Sequence, residues 1–88
     1  MSQRSDQIAL EHDILLLLED VQLEEKGDEV IWVEESALAS ALLGSPSRRH
    51  RRIIRTRCES MCKRGKVVRR EYQKFTSWRL PDDHWPPR

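Results

Sequence analysis

Residues 43–57 read LGSPSRRHRRIIRTR, and the way this stretch is parsed decides the fold. Leu43-Gly44-Ser45-Pro46-Ser47 reads as the end of one helix and the start of the next. Ser45 is placed to cap the new helix and Pro46 to occupy its first turn, where a missing N–H does no harm. Arg48 to Arg57 then brings six arginines and a single apolar pair, Ile53-Ile54, into ten residues. An arginine-dense helix launched from a tight turn is a common way for a small protein to grip nucleic acid.

Upstream, Glu34–Leu43 places Ala37, Leu38, Ala41 and Leu42 at helical spacing, with glutamates at the favourable N-terminal end. Val30-Ile31-Trp32-Val33 before it is short, β-branched and aromatic, which predicts a strand. A first helix is expected from Ser5, an N-cap followed by Asp6, to about Glu25, with Gly27 as its stop. Ile8, Glu11/His12, Leu15, Leu18 and Gln22 trace one stripe of it, and Ile14, Leu17 and Val21 an adjacent one. Ile14–Leu18 is apolar all round for more than a turn, more than one core stripe needs. That surplus suits packing against the Trp85 segment or a second protomer, so a homodimer is expected.

Downstream, the arginine helix should run from Pro46 to about Arg64 and end at Gly65. Lys66–Tyr72 and Trp78–Leu80 read as extended segments joined by a loop over Gln73–Ser77. Residues 81–88, PDDHWPPR, read as an irregular tail. The predicted order is helix, strand, helix, helix, strand, strand in one domain over 1–88, its core at about 5–80.

The run VEESALASALLGSPSRRHRRIIRTRCESMCKRGKVVRR resembles the central segment of bacterial and archaeal winged helix-turn-helix transcription regulators, including those of their viruses and plasmids. The resemblance covers roughly residues 30–80. It rests on an alanine- and leucine-rich helix, a Gly-x-Ser turn, a basic helix, then a glycine, an aliphatic strand and arginine. Val67-Val68-Arg69 and Trp78-Arg79-Leu80 match the wing strands. It implies an α+β winged-helix fold of three helices and a small antiparallel sheet. It also implies that the N-terminal half of helix 46–64 enters the major groove of double-stranded DNA, with hairpin 66–80 as the wing. His50 stands where such helices usually bury an aliphatic residue.

Helical phase refines the arginine cluster. With Ile54 at the centre of the buried face and about 100° per residue, His50, Cys58 and Met61 fall beside it. Arg48, Arg49, Arg52, Thr56, Glu59 and Lys63 lie opposite, with Arg55 at the edge of that face. Arg51 and Arg57 flank the core; in the alternative reading, a solvated basic face that partly pairs with acids of the first two helices, these two are the candidates for pairing. The expected DNA-binding set is therefore Ser47, Arg48, Arg49, Arg52, Arg55, Thr56, Arg69 and Lys74. Arginine's planar fork fits phosphate oxygens or guanine O6 and N7. Neutralising about four to six phosphates predicts a log–log salt slope of about −4 to −5. Tyr72 and Phe75 suit either hairpin packing or a wedge at a groove.

Charge asymmetry supports a polyanionic partner. Residues 1–46 carry two basic and eleven acidic residues, and residues 47–88 fourteen basic and four acidic, within a total of +1. No export signal is apparent at MSQRSDQ, and the longest apolar run is far too short to span a bilayer. A cytoplasmic location is expected. Cys58 and Cys62 read as free thiols: their i, i+4 spacing lacks the second ligand pair of a structural zinc site. His12, His50 and His84 are scattered, and no phosphate loop, nucleophile motif or paired carboxylates appear. Trp32, Trp78 and Trp85 read as core and edge packing. No enzymatic activity, metal, cofactor or small-molecule ligand is expected. The rival readings are a winged-helix module docking on an acidic protein in a larger assembly, and an RNA-binding domain.

Overall fold

The computed structural model describes residues 3–81, with side chains from Gln7 onward. The side chains of Ser5 and Asp6, and the tail with His84 and Trp85, lie outside the described residues. The elements are α1 (Gln3–Leu23), β1 (Val33–Glu34), α2 (Glu35–Leu43), α3 (Arg48–Lys63), β2 (Val68–Tyr72) and β3 (Phe75–Arg79). The chain is thus α+β, with three helices and a small three-stranded antiparallel sheet in the order β1-β3-β2.

Alternation along the central strand explains the layering. Trp78 and Leu80 are fully buried in the common core, as is Val67 at the start of the hairpin. They join Ile14 and Leu18 of α1, Leu38 and Ala39 of α2, and Ile54, Cys58 and Met61 of α3. Gln22 enters this core as a polar member, its Oε1 accepting the Leu80 N–H at 2.6 Å. Phe75, Ser77 and Arg79 point to the other face of β3. The connection between α1 and β1 covers the base of that face. Arg79 Nη1 donates to Glu25 at 2.6 Å and to the Ile31 carbonyl at 3.1 Å, and the Ile31 N–H donates to Glu25 at 2.7 Å. The guanidinium of Arg79 also lies 5.7 Å from the Trp32 ring centroid.

Several boundaries differ from the sequence expectation, each for a local reason. The first strand shrinks from Val30–Val33 to Val33–Glu34, because the Ile31 amide and carbonyl are taken by Glu25 and Arg79 rather than by a strand neighbour. The third helix begins at Arg48: Ser47, not Ser45, is its N-cap, accepting the His50 N–H at 3.2 Å. The first helix begins at Gln3, ahead of Ser5, and ends at Leu23. Its last turn tightens through Glu24 N–H to Val21 and Glu25 N–H to Gln22 bonds before left-handed Gly27. Ile8 is exposed rather than part of the buried stripe, and Ala37 and Ala41 are exposed while Ala39 is buried. The loop expected over Gln73–Ser77 is a two-residue turn, with Tyr72 paired to Phe75. Gln73 has φ 55°, the positive value that primed hairpin turns require at their first central residue.

The Glu25–Arg79 pair gives a pH prediction. Hydrogen bonding from Arg79 holds the Glu25 carboxyl below its ordinary value of 4.5. A carboxylate with a lowered folded pKa stabilises the fold above its unfolded pKa, and that stability is lost as pH falls through the folded value. Glu25→Gln should therefore melt lower than the parent at neutral pH, and the two melting curves should converge below about pH 4.5. Thermal melts followed by circular dichroism across that window check this; a constant gap down to strong acid would remove the pair from the account.

Candidate nucleic-acid interface

The turn into α3 is held by the residues of the sequence signal itself. Gly44 closes α2 at φ 89°, where side chains are strained. Ser47 then caps α3, and its carbonyl accepts the Arg51 N–H at 2.9 Å. His50, expected against the buried face, is half-buried and clips the turn. Its Nδ1 stands 2.8 Å from Ser45 Oγ and 3.1 Å from the Ser45 carbonyl oxygen.

Beyond this clip, α3 buries Ile54, Cys58 and Met61 and turns Ser47, Arg48, Arg49, Arg52 and Thr56 to solvent. Arg51, which phase placed at the flank of the core, is exposed with them. Arg48, Arg51, Arg52 and Arg55 line a cavity of about 450 Å³ that has Glu35 at its wall. Thr56 Oγ1 donates back to the Arg52 carbonyl at 3.0 Å, leaving its oxygen lone pairs outward.

The arginines divide by partner. Arg55 is tied to Glu35 in a forked contact: Nε donates to the two carboxylate oxygens at 3.2 and 3.1 Å, and Nη2 to Oε1 at 2.9 Å. Glu35 is buried at 8% side-chain exposure, and its other donor is the buried Trp78 Nε1 at 3.3 Å. This carboxylate, bonded from both sides, raises the Arg55 pKa further above its ordinary value. Arg57 and Arg64 both reach Glu11 of α1, at 3.1 and 2.8 Å. Arg69 pairs with Glu59 of α3 at 3.4 Å and with Glu71, and lies over the Trp78 ring. Arg70 stacks on Trp32 at 4.8 Å. By contrast, no ion pair joins Arg48, Arg49, Arg51 or Arg52 to an acid among the described residues.

The structure thus gathers five of the eight expected site residues, Ser47, Arg48, Arg49, Arg52 and Thr56, on one exposed surface of the first half of α3. Arg55 borders that surface but is committed to Glu35. Arg69 is engaged within the fold, and Lys74 stands at the exposed tip of the hairpin. Of the two candidates for internal pairing, Arg57 pairs and Arg51 does not. Arg51 lies in the first turn of α3, three residues before Ile54, the first buried side chain of the helix.

Cys58 is a free thiol, fully buried among the core residues. Burial first, and the Glu35 charge second, push its thiol well above the ordinary range. Among the described residues, no cluster of three His, Cys, Asp or Glu side chains is arranged to hold a metal ion, and no helix is long and apolar enough to cross a membrane.

Truncating Arg55 leaves Glu35 buried with Trp78 as its one remaining partner. Because Arg55 is itself half-exposed, Arg55→Ala should destabilise by about 1–3 kcal/mol, less than loss of a fully buried pair. Urea unfolding of Arg55→Ala checks this, and a midpoint equal to that of the parent would show that the Arg55–Glu35 contact contributes nothing to stability.

Compared with protein-family models, curated protein sequences and solved structures, the chain has no match in any of the three.

Proposed function

We propose that the chain is a winged helix-turn-helix domain that binds double-stranded DNA and serves as a small transcription regulator, with α3 in the major groove. The observation that carries this reading is the partition of the arginines. Arg55, Arg57, Arg64, Arg69 and Arg79 each have a carboxylate partner. Of the described arginines without one, Arg70 stacks on Trp32, and the other four, Arg48, Arg49, Arg51 and Arg52, sit within five residues at the start of α3. Concentrated, uncompensated guanidinium charge repels itself, and a polyanion relieves that repulsion while releasing its own counterions. The element order and the β1-β3-β2 sheet fit a winged helix, with the β2–β3 hairpin as wing.

Fluorescence anisotropy with random-sequence duplex DNA at a series of salt concentrations tests the proposal. A log–log slope of about −4 is expected if the four free arginines each meet a phosphate. No binding at low salt would remove the DNA reading, and tighter binding to duplex RNA would replace it. A homodimer belongs to the same proposal: Leu16 and Leu23 of α1 are exposed and within about 20° of one another in helical phase. Equilibrium sedimentation showing a monomer at high concentration would remove it.

One observation favours the alternative of docking on an acidic protein. Ile53 lies exposed between the arginines, beside a cavity of about 350 Å³ lined by Gln7, Leu10, Arg52, Ile53, Thr56 and Arg57. Binding to an acidic amphipathic peptide that is lost in Ile53→Ser, together with no duplex binding, would favour that reading.

A further inference from the structure

The tip of the β2–β3 hairpin has a property that phosphate binding does not use. Tyr72 and Phe75 form the last pair of the ladder, side by side on the face of the sheet away from the core. They are 65% and 54% exposed. The other aromatic side chains of the described chain, Trp32 and Trp78, are half-buried and buried. At this exposure the rings cover nothing in the core, and their packing is limited to the cross-strand pair at the end of the hairpin. The turn that brings them together places a glutamine at φ 55°, a conformation uncommon for side-chain-bearing residues, so the two strands stay in register to the very end.

The surroundings are cationic. Arg70 lies on the same face two residues before Tyr72, its guanidinium over the Trp32 ring, and Lys74 is exposed in the turn. The one carboxylate between Gly65 and Leu80, Glu71, is ion-paired with Arg69. Arg69 also bonds Glu59 of α3, which fastens the hairpin alongside the helix that carries the free arginines. Two exposed rings at the narrow end of a positive ribbon match a polyanion with stackable planes.

We propose that this tip is a wedge for base steps: Tyr72 and Phe75 enter the minor groove of a bound duplex and unstack adjacent base pairs, with Lys74 toward the flanking backbone. The inference rests on the duplex-DNA reading above and adds a contact of a different chemical kind. The strands of the ribbon lie about 5 Å apart and carry side chains on both faces, so they do not fit a minor groove about 6 Å wide unless it opens. Apolar insertion between base pairs provides that opening and bends the duplex toward the major groove. Pyrimidine–purine steps yield most easily and are the expected sites.

The test uses the whole chain and a duplex with several TA steps, 2-aminopurine beside one of them, and a fluorophore pair at its ends. The wild type should raise 2-aminopurine emission and end-to-end energy transfer. Y72T/F75T keeps β-forming residues in exposed positions, so its melting temperature should match the parent. It should lose both signals and bind about 5- to 100-fold more weakly, the range for lost base–aromatic stacking. Its slope against log salt should stay the same, because the phosphate contacts are intact. Unchanged emission and transfer in Y72T/F75T would overturn the wedge while leaving DNA binding in place. So would a wild type that binds by anisotropy without perturbing 2-aminopurine. A wild type that shows no anisotropy change at low salt would instead bring down the duplex reading, and the wedge with it.

Discussion

Trp78→Ala should lower stability by about 3–5 kcal/mol and the melting temperature by roughly 12 °C or more. Trp78 is the largest fully buried side chain among the described residues and sits on the central strand, paired with Val33 on one side and Arg69 on the other. Its loss opens a cavity where the sheet meets the helices. It also removes the indole N–H that Glu35 accepts, so a buried carboxylate loses a donor in the same step. A domain of this length holds a total of only about 4–13 kcal/mol. Trp78→Phe separates the two contributions, since it retains most of the volume and removes the donor. It should recover more than half of the loss. Thermal melts of the two variants decide the matter: if Trp78→Ala melts within a few degrees of the parent, the core is organised around something else.

R48A/R49A/R52A should bind duplex DNA roughly 500-fold more weakly at 0.1 M salt, since each phosphate contact accounts for about 0.9 in the log–log slope and three are removed. The slope itself should fall from about −4 to about −1. All three side chains are exposed and make no ion pair within the described residues, so stability should change by no more than about 0.5 kcal/mol. Arg57→Ala is the matched control. It removes a cation of the same helix whose charge is already spent on Glu11, so it should lower stability and leave the slope nearly unaltered. Anisotropy titrations and melts of both variants make the comparison. Equal effects of the triple variant and Arg57→Ala on the slope would mean that binding senses total charge and not this surface.

Much of this arrangement can be read from local signals. Ile54, Cys58 and Met61 follow from helical spacing alone, and the end of α3 from Gly65. The outward turn of Arg48, Arg49 and Arg52 is the same periodicity seen from the other side. What escapes is set by distant partners. Glu34 and Glu35 are adjacent and alike, yet one is exposed and the other is buried, because Arg55 and Trp78, twenty and forty-three residues on, supply donors to Glu35 alone. The same holds for Gln22, whose buried oxygen is claimed by the Leu80 amide. The Gln73–Lys74 turn was hidden because it has none of the residues that normally signal a left-handed conformation. A helical wheel assumes equal burial along the helix, whereas in α3 the first buried side chain is Ile54, and Arg51 in the first turn stays exposed.

The shared carboxylate of Glu35 has a thermodynamic consequence for any partner. It belongs to α2, accepts from Arg55 of α3 and accepts from Trp78 of β3, so three elements meet at one pair of oxygens. The angle between helix and hairpin is therefore set before encounter. Association then needs to order little beyond the free side chains of Arg48 to Arg52 and the hairpin tip. A preassembled surface of this kind forfeits less entropy on binding than one that must fold around its target. Loosening Glu35 should accordingly weaken binding with no loss of contacts, as a calorimetric penalty in entropy rather than enthalpy.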